Sequence, residues 1–146
     1  MKKTIYVTLA MIAFTFAAAE TSLACSCIAP TGKIKTQVTN AFKDSAAIFV
    51  GKVISMEKTS DGNYWIVKLT AQTTWKGTGA SEITIKTALD SAMCGYSFED
   101  GKEYLVYAHG TAADLNVGNC SRTASMSDNA DVKYLAKLKR KYAPKD

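Results

Sequence analysis

The sequence has one histidine, two prolines and four cysteines among its 146 residues. Each scarcity narrows the chemistry available. His109 is the only candidate for an imidazole base. It falls at the end of an expected strand, and no Gly-x-Ser-x-Gly elbow accompanies it, so a serine or cysteine hydrolase is disfavoured. A structural zinc site needs two close Cys/His pairs, whereas Cys94 and Cys120 each stand alone. Gly77 and Gly79 lack the lysine and following helix of a phosphate-binding loop. The carboxylates of Glu99, Asp100 and Glu103 flank a turn and read as a solvated loop. No basic stripe is interleaved with aromatics, so nucleic acid is not an expected partner. Internal repeats, low-complexity segments and a second domain are also lacking. The chain is therefore expected to be a single non-enzymatic domain with no cofactor of its own.

Residues 1–24 have the three parts of an export signal. Lys2 and Lys3 supply the positive start, Ile5 to Ala19 an uncharged apolar run, and Ser22-Leu23-Ala24 the small residues at the third and first positions before a cleavage site. The run is short for a membrane span, and Glu20 ends it. An uncleaved anchor and a lipoprotein signal are the alternatives. The latter prefers a large aliphatic residue at the place Ser22 occupies. Cleavage after Ala24 makes residues 25–146 the mature domain, secreted or periplasmic, with Cys25 first and no transmembrane segment.

Removing Lys2, Lys3 and Glu20 leaves 16 basic and 12 acidic side chains, net +4. Lys133 to Asp146 alone is net +5, so the remainder is net −1. Such a tail suggests an anionic surface or, more simply, a solvated helix face. All four cysteines lie beyond the signal, which argues for two disulfides in an oxidising compartment. Cys25–Cys27 would close a very tight ring, so links from the N-terminus out to Cys94 and Cys120 are preferred. Which takes which stays open at this point.

Periodicity outlines the fold. Ile34, Val38, Ala41 and Phe42 predict a short helix over 33–44. The β-branched run from Ile48 to Ile54 predicts a strand partly buried on both faces. Ser60-Asp61-Gly62-Asn63 is a hairpin turn, followed by a long strand from Tyr64 to Trp75 with Trp65, Val67, Leu69 and Ala71 on one face. Ile83, Ile85 and Thr87 mark a third strand, Glu103 to His109 a fourth and Leu115 to Val117 a short fifth. A final helix is expected over 129–142, capped by Ser127 or Asp128, with Val132, Leu135, Leu138 and Tyr142 inward. The fold class is mainly β: a small five-stranded OB-type barrel with an early and a C-terminal helix.

The N-terminus itself offers chemistry. A free α-amine has a reference pKa of about 7.7–8.0 and is partly neutral at physiological pH. Together with its own carbonyl oxygen it can chelate a metal in a five-membered ring. An amine fixed by a disulfide could enter the open coordination position of another protein's catalytic zinc. A thiol or copper protein using Cys25, Cys27 and Met93 is a further reading.

Cys25-Ser26-Cys27-Ile28-Ala29-Pro30 after a signal resembles the mature start of the tissue inhibitors of metalloproteinases. Ala41-Phe42 with Ala47 to Val53, and Met93-Cys94-Gly95-Tyr96 with Lys102 to Val106, resemble that family in the same order. The likeness spans nearly the whole mature chain, and its signal and small size resemble a bacterial member. It implies a netrin-like OB-type barrel and disulfides Cys25–Cys94 and Cys27–Cys120. It also implies that the amine and carbonyl of Cys25 chelate the zinc of a secreted metalloprotease. Ser26 would enter the protease's primary specificity pocket, with Cys27, Ile28 and Ala29 continuing along the cleft. Ala92 and Met93 would touch the cleft from the other side. The zinc belongs to the target protease, and the inhibitor is expected to be a monomer. Three departures stand out: Lys43 replaces a cysteine, the six-cysteine C-terminal subdomain is missing from this sequence, and the hairpin from Met56 to Tyr64 is short. The alternative function is a netrin-like interaction module that inhibits no protease.

Overall fold

A computed structural model describes residues 25–77, 79–128 and 130–142. The expected export signal and the chain end lie outside them. The elements are α1 (Ile34–Asp44), β1 (Ala47–Lys58), β2 (Tyr64–Lys76), β3 (Glu82–Ala88), β4 (Glu103–Thr111), β5 (Asp114–Asn116), β6 (Ala124–Ser125) and α2 (Val132–Tyr142). The sheet runs β1-β2-β3-β5-β4, and β4 pairs back onto β1 to close a five-stranded barrel. This is the OB-type architecture expected from the strand count. The two-residue β6 extends β4 and was not foreseen: it pairs only Ala124 and Ser125 with Leu105 and Tyr104.

β1 makes closure possible because it bends. It pairs with β2 along its length and with β4 from Ala47 to Lys52, and its register on β2 shifts at three places. Such irregularities sharpen strand twist. At Gly51 a Cβ would come within 3.0 Å of the Phe49 ring and 3.1 Å of Leu69 Cβ, so the absent side chain makes room inside the bend.

β1 and β4 are buried on both faces, and this explains their near-continuous apolar sequences. Phe49, Val53, Tyr104, Val106 and Ala108 point into the barrel beside Val67, Leu69, Ile83 and Ile85. Ile48, Val50, Leu105 and Tyr107 point outward beneath Val38 and Phe42 of α1 and Leu135 of α2. The cross-strand pairs Ile48–Tyr107 and Val50–Leu105 give that outer face its register. Of the four residues expected on one face of β2, Val67 and Leu69 are fully buried, while Trp65 and Ala71 pack against the barrel core from its margin.

α1 ends at Ser45, whose backbone N–H and hydroxyl both donate to the Ala41 carbonyl, at 3.0 and 2.8 Å. The Lys76 ammonium donates to the carbonyls of Phe42 and Lys43, satisfying two more groups where a cation also suits the helix dipole. The expected start of α2 is corrected. Met126–Asp128 is a separate 3-10 turn, and the Ser127 hydroxyl lies 3.3 Å from that of Ser125. The first helical N–H groups, of Tyr134 and Leu135, donate instead to the carbonyl of Asp131. Asp131 is buried with its carboxylate held by Tyr107 and Arg122, and the helix begins after it, at Val132.

Tyr107 lies under both helices, fully buried, and donates its hydroxyl to Asp131 Oδ2 at 2.9 Å. Burial first, and the Asp131 charge second, hold its phenol far above the usual tyrosine range. The folded state therefore keeps a proton that the unfolded chain releases above about pH 10. Stability is full below that pH and is expected to fall above it by about 1.4 kcal/mol per pH unit from this residue. Urea unfolding between pH 8 and pH 11 measures the slope. A flat profile would mean that Tyr107 ionises in the folded state.

Candidate functional site

The first described residues, Cys25 to Gly32, form no helix or strand and cross the end of the barrel as an exposed segment. Two disulfides hold it, Cys25–Cys94 and Cys27–Cys120, in the pairing that the family resemblance implied. The sequence separations are 69 and 93 residues. Loops of that length contribute about 4–5 kcal/mol per link in the chain-entropy account.

The two anchor loops are joined to each other. Gly95 and Gly118 form an isolated β-bridge, and the Asn119 N–H donates to the Cys94 carbonyl at 2.9 Å. Both glycines are required by close backbone approach. A Cβ on Gly95 would lie 2.1 Å from the Ala88 carbonyl oxygen, and one on Gly118 would lie 2.8 Å from that of Cys94. Cys94 has φ 63°, a left-handed conformation that a residue with a side chain seldom adopts. Its N–H donates to the Ser91 carbonyl, and the neighbouring Met93 N–H donates to Asp90 Oδ1. The turn thus presents Ala92 and Met93 immediately before the disulfide.

The sulfurs of Cys25, Cys27 and Cys120 lie within 4.8 Å of one another. All four cysteines are in disulfides, so none is a free thiol or a thiolate ligand, which argues against the thiol and copper reading. Ser26, Cys27, Ile28 and Ala29 are exposed, and Ile28 is 97% exposed. Met93 is 46% exposed. The expected contact residues border different hollows beside the disulfide pair. Cys27, Ile28 and Ala29 border a groove of about 480 Å³ against α1, whereas Met93 and Cys94 border one of about 290 Å³ beside Tyr64 and Lys86. His109 borders both, and its Nδ1 is 3.3 Å from the Asp44 carbonyl oxygen.

A polar relay that periodicity did not reveal supports the segment from below. Arg122 donates through Nε and Nη2 to the two oxygens of Asp131, at 2.5 and 2.9 Å, and through Nη1 to Gln37 Oε1 at 2.9 Å. The Gln37 amide donates in turn to the carbonyls of Gly32, at 2.9 Å, and Pro30, at 3.4 Å. The bond to Asp131 raises the Arg122 pKa further, so the guanidinium is permanently charged. The start of α2 is thereby linked through α1 to the backbone just beyond the cysteines. In the sequence, Gln37 looked like one more polar residue on a helix, and Arg122 had no motif around it.

Gln37→Ala is expected to cut this relay at its last step and leave the Arg122–Asp131 pair intact. Because the lost bonds are to the Pro30 and Gly32 carbonyls, backbone NMR order parameters around residues 31–33 should fall, with the melting temperature nearly unchanged. Unaltered order parameters would show that the disulfides alone hold the segment.

No protein-family model matches this chain, and no curated protein matches it significantly. Among the described residues, no helix is long and apolar enough to cross a membrane. The two disulfides fit an oxidising compartment.

Proposed function

We propose that this protein is a secreted, non-enzymatic inhibitor of zinc metalloendopeptidases, similar to the inhibitory domain of the tissue inhibitors of metalloproteinases. One observation carries the reading: half-buried Cys25 and exposed Ser26 and Cys27 form an edge tied by two disulfides to two loops that are themselves bridged. Such an edge meets a partner with little left to order, so little binding free energy is lost in fixing it. Exposed Ile28 and Met93 supply apolar contact area beside it.

In this reading residues 1–24 are removed and Cys25 carries a free amine. With its sulfur held by Cys94, the amine and carbonyl of Cys25 are free to face the target's zinc and replace its water. Ser26 presents a small side chain to the specificity pocket. Cys27, Ile28 and Ala29 follow the cleft on one side, and Ala92 and Met93 meet it on the other. Inhibition rather than cleavage follows because the edge offers the zinc two ligands and holds no scissile bond over it.

The test compares the processed protein with a form carrying one extra alanine before Cys25, against a panel of secreted zinc endopeptidases. N-terminal mass spectrometry establishes the starting residue of each. Equal inhibition by both forms, or none by either, would refute chelation by Cys25.

A further inference from the structure

The basic chain end stands out in the sequence, but the fold enlarges it into a two-helix surface. α1 and α2 pack against each other on the outer face of β1 and β4, and the Phe42 and Tyr142 rings stack at 5.6 Å between them. α2 contributes Lys133, Lys137, Lys139, Arg140 and Lys141, all exposed. α1 and its cap add Lys33, Lys35 and Lys43, also exposed, and Lys76 reaches the end of α1 from β2. The one exposed acid on this layer is Asp44; Asp131, which caps α2, is buried and paired with Arg122, and that pair is left out of the layer's charge. Nine basic groups against one acid make it net +8. The rest of the described chain holds six basic and ten acidic residues, net −4. The protein is therefore strongly polarised, with the positive charge gathered on the helices.

We propose that the α1–α2 layer is a docking surface for an anionic phospholipid membrane. Three features favour lipid over nucleic acid. Eight of the nine cations are lysines, point charges suited to a fluid array of headgroups rather than to the paired acceptors of a base edge. Phe42 is buried and one face of the Tyr142 ring stacks on it, so the layer offers no run of exposed rings on which successive bases could stack. Ile34 at the start of α1 and Tyr142 at the end of α2 are 39% and 47% exposed, and both residue types sit readily at headgroup depth.

The apolar side of α2 is committed to the barrel through Leu135 and Leu138. The helix consequently cannot roll over and bury itself in acyl chains. Attachment is electrostatic, peripheral and released by salt. This surface adjoins the disulfide-tied edge through α1, and the proposal does not depend on protease inhibition.

Co-sedimentation of the processed protein with vesicles tests the proposal. The vesicles are phosphatidylcholine alone or phosphatidylcholine mixed with phosphatidylglycerol, at about 0.01 M and about 1 M salt. Binding is expected only to the anionic vesicles and only at low salt. Two charge-reversed variants separate a two-helix surface from a basic tail: Lys35→Glu with Lys43→Glu on α1, and Lys137→Glu with Arg140→Glu on α2. All four residues are exposed, so the melting temperatures should match the parent. Each pair should weaken partitioning at least about tenfold, since each basic residue near an anionic leaflet is worth roughly a fivefold factor.

Several outcomes would overturn the proposal: no sedimentation at low salt, equal binding to neutral vesicles, or no effect of the α1 pair. Tighter binding to a mixed-sequence oligonucleotide than to the anionic vesicles would assign the surface to nucleic acid instead.

Discussion

One alanine added before Cys25 is expected to weaken inhibition of a susceptible zinc endopeptidase at least about a hundredfold, given that losing even an outer-shell partner of a metal ligand costs about 10–100-fold. The thermal stability of the protein should not change. The extension converts the Cys25 amine into an amide, which has no lone pair to offer, and places a residue where the zinc must sit. It disturbs neither Cys25–Cys94 nor Cys27–Cys120, so the edge keeps its shape and only its chemistry is lost. A titration of the target with each form reads the difference directly. The unextended protein should also bind more weakly as pH falls below the amine's reference pKa of about 7.7–8.0, because a proton then competes with the metal. Inhibition that survives the extension would place the contact on side chains such as Ile28 and Met93.

Replacing Arg122 by leucine is expected to destabilise the fold by about 3 kcal/mol, the lower end of the range for removing one partner of a buried ion pair. The lower end applies because the Arg122 side chain is 23% exposed, whereas that of Asp131 is only 7% exposed. The substitution takes the guanidinium away from the buried Asp131 carboxylate, which keeps the bond from the Tyr107 hydroxyl. Asp131→Asn should cost less, since the freed guanidinium can turn toward water. Denaturant unfolding of the parent and both variants checks the order. Equal losses for the two variants would mean that the site is hydrated and the pair weak.

The barrel could be read from the sequence because its signal is local. Alternation of apolar residues in Ile83-Thr84-Ile85-Lys86-Thr87 marks one buried face, and Asp61-Gly62 marks a hairpin wherever the rest of the chain goes. The apolar run of β1 announced burial on both sides but not what covers it, and the two buried faces of β4 emerged only with the structure. The helix cap was misplaced for a related reason. Ser127 and Asp128 have the chemistry of a cap, but Asp131 has the same chemistry and a partner nine residues away.

Residue type and order alone determined the five strands, the two helices and the candidate edge around Cys25. Each rests on chain neighbours a few positions apart, or on a cysteine pattern that can be matched without coordinates. Only the tertiary structure joined Arg122 to Gln37 across 85 positions, bridged the loops of Cys94 and Cys120, and set α1 beside α2. Polar partners and surface charges have no period and tolerate any spacing. Their pairing follows from where barrel closure leaves them, and closure comes from the apolar faces that the sequence does display.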